Sequence, residues 1–285
     1  MTPLRQQMIT AMQVRGFSPR THQAYLHAVQ GLARYYRQPL DQLNLEQIRA
    51  YLEYLACERH LSSSSCRQAM HGIRFLFMQV LKRADLDEPI PLPKQPQRIP
   101  ELLTRAEVAR ILAACVNAKH HAMLETCYGC GLRVSELCQL KVSSIDSQRH
   151  LLRVTQGKGA KDRAVILPDT LLQHLRVYWH QYRPERWLFP SNLLPDRAIH
   201  ATSIQKVYCR AKHNAGVHRD GGIHGLRHAY ATHLLEAGLP VHQLQYLLGH
   251  SDIRTTLRYV HWLPGVAEQG SADTDLLARL EVGHG

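Results

Sequence analysis

The sequence predicts a mainly α protein with a small β-sheet, built as an N-terminal helical bundle followed by a mixed α/β domain. Three observations predict this. Apolar residues make up 45% of the 285 residues and recur at helical spacing through most of the chain, enough to form a proper core. Five prolines crowd residues 89–100 and mark a boundary, because proline removes backbone donors and fixes φ. Only the stretch around 150–167 reads as paired strands.

Residues 3–86, within a first domain of 1–86, read as helices alone. In "SPRTHQAYLHAVQGLARYY", Tyr25, Val29, Leu32 and Tyr36 share a helical face, with Ser18 as N-cap and Pro19 at the first helical position. In "NLEQIRAYLEYLACER", Ile48, Leu52 and Leu55 do the same behind Asn44, a capping residue. The serines at 62–65 start a further helix, whose apolar positions are Met70, Ile73, Phe77 and Leu81. With a short opening helix these make a bundle of about four. Residues 87–100 form the Pro-rich linker, and 101–285 the second domain. That domain opens with Thr104 and Glu107 at capping-box spacing. A helix is expected around 120–139, then strands "HLLRVTQ" and "KDRAVILP" joined by a turn at "GKGA". Helices follow at about 169–182, 201–215, 225–237, 240–248 and 252–260. A tail helix is expected within about 271–285, carrying Leu276, Leu277 and Leu280.

Charge narrows the function. Lys and Arg number 35 against 23 Asp and Glu, a formal net charge of +12 and a pI near 9.6. A polyanionic partner is expected, nucleic acid before an anionic membrane. Residues 1–86 hold eleven of the basic residues against five acidic ones, so both halves face the polyanion. No apolar run approaches the ~20 residues of a membrane span, and the N-terminus lacks the features of a signal peptide. The seven cysteines are an odd count, scattered through apolar stretches, which favours reduced thiols and a cytoplasmic location.

Cutting a phosphodiester without a metal needs fixed cations on its non-bridging oxygens, an in-line nucleophile and an acid for the leaving oxygen. Arginine suits the first task, with a planar fork that keeps its proton. Arg133, after Gly129 and Gly131, is one candidate; its plain alternative is a surface arginine paired with Glu136. Arg227 is another. It lies three residues after His224, hence on the same helical face near an N-terminus that favours phosphate. The plain alternative is a helix cap with a satisfied histidine. Lys158 sits at a glycine-flanked hairpin tip, where an exposed lysine is usually a solubilising charge. Leu152 and Gly159 stand where a nucleotide-binding P-loop needs glycine and a hydroxyl residue. "LLGHSDIRTTLRYVHW" adds His250 and Tyr259. A phenol, with a pKa of about 10, becomes a usable nucleophile beside arginines that favour its anion, although a lone tyrosine is most often a core aromatic.

Taken together, "GLRVSEL", "GKGAKDR", "HGLRHAYATHLLEAG" and "LLGHSDIRTTLRYVH" strongly resemble the tyrosine recombinases, or phage-integrase family. The resemblance covers roughly 101–265, and the bundle resembles the family's core-binding, SAM-like domain on weaker pattern. It implies that Arg133, Lys158, His224, Arg227, His250 and Tyr259 are catalytic and that no cofactor or metal is needed. By the same resemblance, Tyr259 attacks DNA to form a 3′-phosphotyrosine, Arg133 and Arg227 stabilise pentavalent phosphorus, and Lys158 protonates the leaving 5′-oxygen. His224 and His250 assist proton transfer. Double-stranded DNA is the implied substrate, exchanged through a four-way junction in a homotetramer that is monomeric or weakly associated off DNA. His228 is expected to support the pocket rather than to do chemistry. Tyr230 and Tyr246, the rival tyrosines, are expected in the core.

Other readings carry less. Cys127 and Cys130 form one C-x-x-C, with His120 and His121 upstream, but a zinc site usually needs a second pair. A topoisomerase-like nicking-closing enzyme would use the same phosphotyrosine chemistry without assembling four protomers. A non-enzymatic DNA-binding protein would have no need of six intact site residues. The segment 183–223 is short for the extra helix of integron integrases, which favours an integrase of a mobile element or phage.

Overall fold

The computed structural model describes residues 2–83, 101–155 and 162–263. The chain divides into two compact units, Met1–Arg98 and Ile99–Gly285.

Among its described residues the first unit holds four α-helices: α1 (Pro3–Val14), α2 (Pro19–Tyr36), α3 (Leu45–Cys57) and α4 (Ser63–Arg74). Each start has a local cause. Ser18 Oγ accepts from the Thr21 amide at 3.2 Å, with Pro19 at the first helical position. Asn44 and Gln47 exchange hydrogen bonds as a capping box, and Ser62 Oγ accepts from the Ser65 amide. Beyond Arg74 the chain widens into π-helix over Phe75–Val80. The apolar stripes meet in one core of Met8, Met12, Leu32, Ile48, Leu52, Ile73, Leu76 and Phe77. Tyr25, Val29 and Tyr36 pack at its margin.

The second unit begins with α5 (Arg105–Ala113), closed by Thr104 and Glu107 in a capping box. The expected single helix around 120–139 is in fact two, α6 (Ala118–Gly129) and α7 (Val134–Cys138). Gly131 interrupts it at φ +58°, in the left-handed region that glycine enters without a Cβ penalty. The sheet has three antiparallel strands rather than two, in the order β1 (Ile145–Asp146), β2 (Leu151–Val154), β3 (Arg163–Ile166). Leu151 faces Ile166 and Val154 faces Arg163. β1 is too short, at two residues, to show any alternation. Then come α8 (Asp169–Tyr182), α9 (Ala201–Asn214), α10 (His224–Glu236), α11 (Val241–Leu248) and α12 (Ile253–His261).

α10 is the axis of this unit. Leu226 and Ala229 join the main core, which includes Leu124, Leu132, Leu152, Val165 and Phe189. Tyr230, Ala231 and Leu235 join a second cluster with Leu244, Leu248 and Tyr259. A helix enclosed on several sides shows little amphipathic pattern. Lower down, His233 ties α10 to the start of the unit, with Nε2 on the Leu103 carbonyl and Nδ1 on the Tyr128 hydroxyl, each at 2.9 Å. The Pro-rich linker and the expected tail helix lie outside the described residues. Among the described residues, no helix is long and apolar enough to cross a membrane.

Candidate active site

Arg227 lies one turn into α10 and is 3% exposed. A buried guanidinium is costly unless its donors are met. Here Nη1 donates to the Gly131 carbonyl and Nη2 to the Leu248 carbonyl, each at 2.6 Å. Nη2 also reaches His250 Nε2 at 3.2 Å. The acceptors come from the α6–α7 break and the end of α11, so Arg227 joins three elements. Burial, with the nearby Arg133 charge, lowers its pKa to about 10, which leaves it charged at neutral pH.

The break that ends α6 also places Arg133. At Gly131 a Cβ would stand 2.3 Å from Tyr230 Cδ1, so glycine makes room for the tyrosine ring as well as the turn. Arg133 becomes the N-cap of α7. Its amide donates to Glu136 Oε2 and its Nη1 to Oε1, both at 2.8 Å. Arg163, on β3, adds a bidentate pair to the same carboxylate at 2.7 and 2.9 Å, and Arg227 Nη1 lies 3.7 Å from it. Burial opposes the Glu136 charge, but Arg163, the Arg133 amide and Arg227 prevail and hold its pKa down to about 2. One carboxylate therefore braces three arginines, and the pocket retains a positive excess suited to an anion.

His250 follows Gly249, whose φ of +62° closes α11. Arginine can only donate, so His250 Nε2 accepts from Arg227 and Nδ1 carries the hydrogen toward Thr256 Oγ1 at 2.8 Å. Burial, then the charges of Arg227 and Arg133, push its pKa down to about 4, which keeps the ring neutral. The Tyr259 ring lies parallel to His250, with 3° between planes and 6.4 Å between centroids, and edge-on to Trp262 at 5.1 Å. The Tyr259 hydroxyl is 3.0 Å from His228 Nδ1. Burial raises the phenol's pKa, while the charges of Arg227, Arg133 and Arg258 pull it the other way. His224 is exposed, with its ring centroid 6.4 Å from that of His228. The protein wall around its ring and the charges of Arg227 and Arg133 lower its pKa.

The structure thus brings Arg133, His224, Arg227, His250 and Tyr259 into one region; Lys158 lies outside the described residues. Tyr230 is buried as expected. Tyr246 is not: it is 67% exposed. α11 buries Leu244, Leu247 and Leu248, and Tyr246, two residues from Leu244, falls on its opposite side. Sequence reasoning missed Arg163 and Thr256. Arg163 could have been found from its strand: it shares a face with buried Val165, and an inward guanidinium demands an acid. Cys127 and Cys130 are core thiols, donating to the carbonyls of Leu132 and Ile166. Burial pushes both up to about 12. Among the described residues, no three His, Cys, Asp or Glu are grouped to hold a metal ion.

Comparison with known proteins places this geometry in a family. Residues 101–264 match the phage integrase family and residues 4–85 its N-terminal SAM-like domain. A candidate integrase/recombinase of Sinorhizobium fredii, y4qK, is 44% identical over 98% of this chain and 91% of its own. Tyrosine recombinase XerA of Thermococcus kodakarensis is 34% identical over 88% of this chain and 87% of its own. The fold is shared with the XerH site-specific recombinase in a post-cleavage complex with palindromic difH substrate. That match has a TM-score of 0.73 at 19% identity and covers 96% of this chain and 85% of the other. Arginine-rich pocket, buried phenol, helical bundle and family matches agree: the chain belongs to the phage integrase family and is a tyrosine recombinase.

Proposed function

We propose that the chain is a site-specific DNA recombinase that cuts and rejoins duplex strands through Tyr259. The reading rests above all on one observation: the Tyr259 phenol lies in the same basic pocket as Arg227, which Glu136 links to Arg133. A phosphodiester held between the two guanidiniums meets fixed positive charge as its phosphorus becomes pentavalent. Tyr259 forms the 3′-phosphotyrosine, and the 5′-oxygen leaves with a proton from Lys158. His250, held neutral between Arg227 and Thr256, steadies the Arg227 guanidinium, and with His224 it assists charge stabilisation and proton transfer. The covalent link conserves the phosphoester's energy, so the freed 5′-hydroxyl of a partner duplex can reverse the step. Two such rounds, through a four-way junction in a homotetramer, exchange the strands. Integration and excision of a mobile element is the role that fits the family and the integrase/recombinase relative.

A duplex nicked near the cleavage point provides the test, because the short 5′ fragment diffuses away and traps the adduct. The wild-type chain forms a covalent protein–DNA band, and Tyr259→Phe binds the same DNA without forming one. A band of undiminished intensity from Tyr259→Phe overturns the assignment of the nucleophile.

A further inference from the structure

Three imidazoles stand near Tyr259, and they are not equivalent. His250 has both nitrogens committed, Nε2 to Arg227 and Nδ1 to Thr256. His224 is exposed, and its ring centroid stands 6.4 Å from that of His228. His228, one turn beyond His224 on α10, has Nδ1 at 3.0 Å from the Tyr259 hydroxyl, within reach of proton transfer. Its ring is fixed there by Tyr259 at 5.6 Å and by Trp262, edge-on at the same centroid distance.

We propose that His228 takes the Tyr259 proton as the phenol attacks phosphorus, and that the DNA phosphate itself makes His228 basic enough to do so. The proposal rests on Tyr259 being the nucleophile. In the free protein His228 faces the phenol and Trp262, with three groups that oppose a second positive charge: His224 and Arg227 from α10, and Arg258 from α12. Burial first, then these neighbours, hold its pKa down to about 4. The ring is therefore neutral, its Nδ1 accepts from the phenol, and the proton stays on Tyr259. A phosphodiester seated among the arginines brings the missing negative charge, which favours the imidazolium. The nucleophile is thus armed by its own substrate.

The step balances within the site. The Tyr259 O–H bond breaks and its proton moves to His228 Nδ1, while the oxygen's electron pair forms the new bond to phosphorus. The bond from phosphorus to the 5′-oxygen breaks, and that oxygen takes a separate proton from the acid assigned to Lys158. In the reverse step His228 returns its proton to the departing phenolate.

His228→Asn tests this in the full chain, because asparagine retains an acceptor close to the Nδ1 position but cannot accept a proton. Adduct formation on the nicked duplex should fall about 100-fold at neutral pH. The deficit should shrink as pH rises and hydroxide takes over deprotonation. It should persist on a substrate with sulfur in place of the bridging 5′-oxygen, whose leaving group needs no proton. A rate within about threefold of wild type, well short of a general base's contribution, overturns the proposal. So does a deficit that ignores pH or that the sulfur substrate repairs. A second measurement needs no variant: in the wild-type chain, the His228 15N resonances should change from neutral to imidazolium on adduct formation, and a ring that stays neutral refutes the transfer. An adduct formed by Tyr259→Phe would instead sink the underlying assignment, whatever His228 does.

Discussion

Glu136 accepts hydrogen bonds from Arg163 and Arg133 and lies 3.7 Å from Arg227. Its side chain is 2% exposed and that of Arg163 is 7% exposed, so neither charge can turn to water. Removing the carboxylate leaves neighbouring guanidiniums uncompensated, and breaking such a buried pair costs about 3–5 kcal/mol. Glu136→Ala should lower stability by that order, read as a fall in the urea midpoint, with adduct formation impaired besides. At this scale the sequence was legible wherever residue type and spacing carry chemistry. The plain pairing of Arg133 with Glu136 and its place beside Arg227 turn out to be compatible, since the same carboxylate serves both. Arg163 was hidden because its role depends on which strand face turns inward. Tyr246 was misread because α11 is short, and an aromatic among leucines looks like a core residue until the helix is oriented.

At the scale of elements, the α6–α7 break sets the position of Arg133. Its glycine supplies both a left-handed turn and the space for the Tyr230 ring. Gly131→Ala would add the αL penalty of roughly 1–2 kcal/mol and force the ring aside. The variant should melt lower than wild type by more than that penalty alone implies, and its adduct formation should slow because Arg133 shifts. Unchanged melting and an unchanged adduct rate would contradict this account. The helix starts at Ser18, Asn44, Ser62 and Thr104 were legible because capping is local chemistry. The break within 120–139 was not, since a glycine in a helical pattern is often tolerated. β1 was invisible because two residues acquire strand character only by pairing with β2.

For the whole molecule, the formal charge of +12 is spread over both halves of the sequence. Binding that neutralises many phosphates releases their counterions, and affinity then falls steeply with salt. Between roughly 50 and 200 mM salt, six to ten phosphate contacts correspond to a loss of about 10³–10⁵ in affinity. A fluorescence titration across that range should show such a slope, whereas a flat response would mean that the arginines and lysines do not meet the DNA backbone. The two-part, mainly helical organisation was legible from proline clustering and apolar period, both properties of long stretches. The candidate site was legible only as an ordered set, since its described residues are spread from Arg133 to Tyr259 and come together only once α10, α11 and α12 have packed.

Tyr259 is only 4% exposed, walled in by His228, His250 and Trp262. A side chain so sheltered offers little face to nucleotides, inorganic phosphate or other small esters dissolved around it. On the proposed mechanism, that shelter protects the resting phenol from wasteful self-labelling, and its attack waits for a polymer large enough to open the pocket from outside.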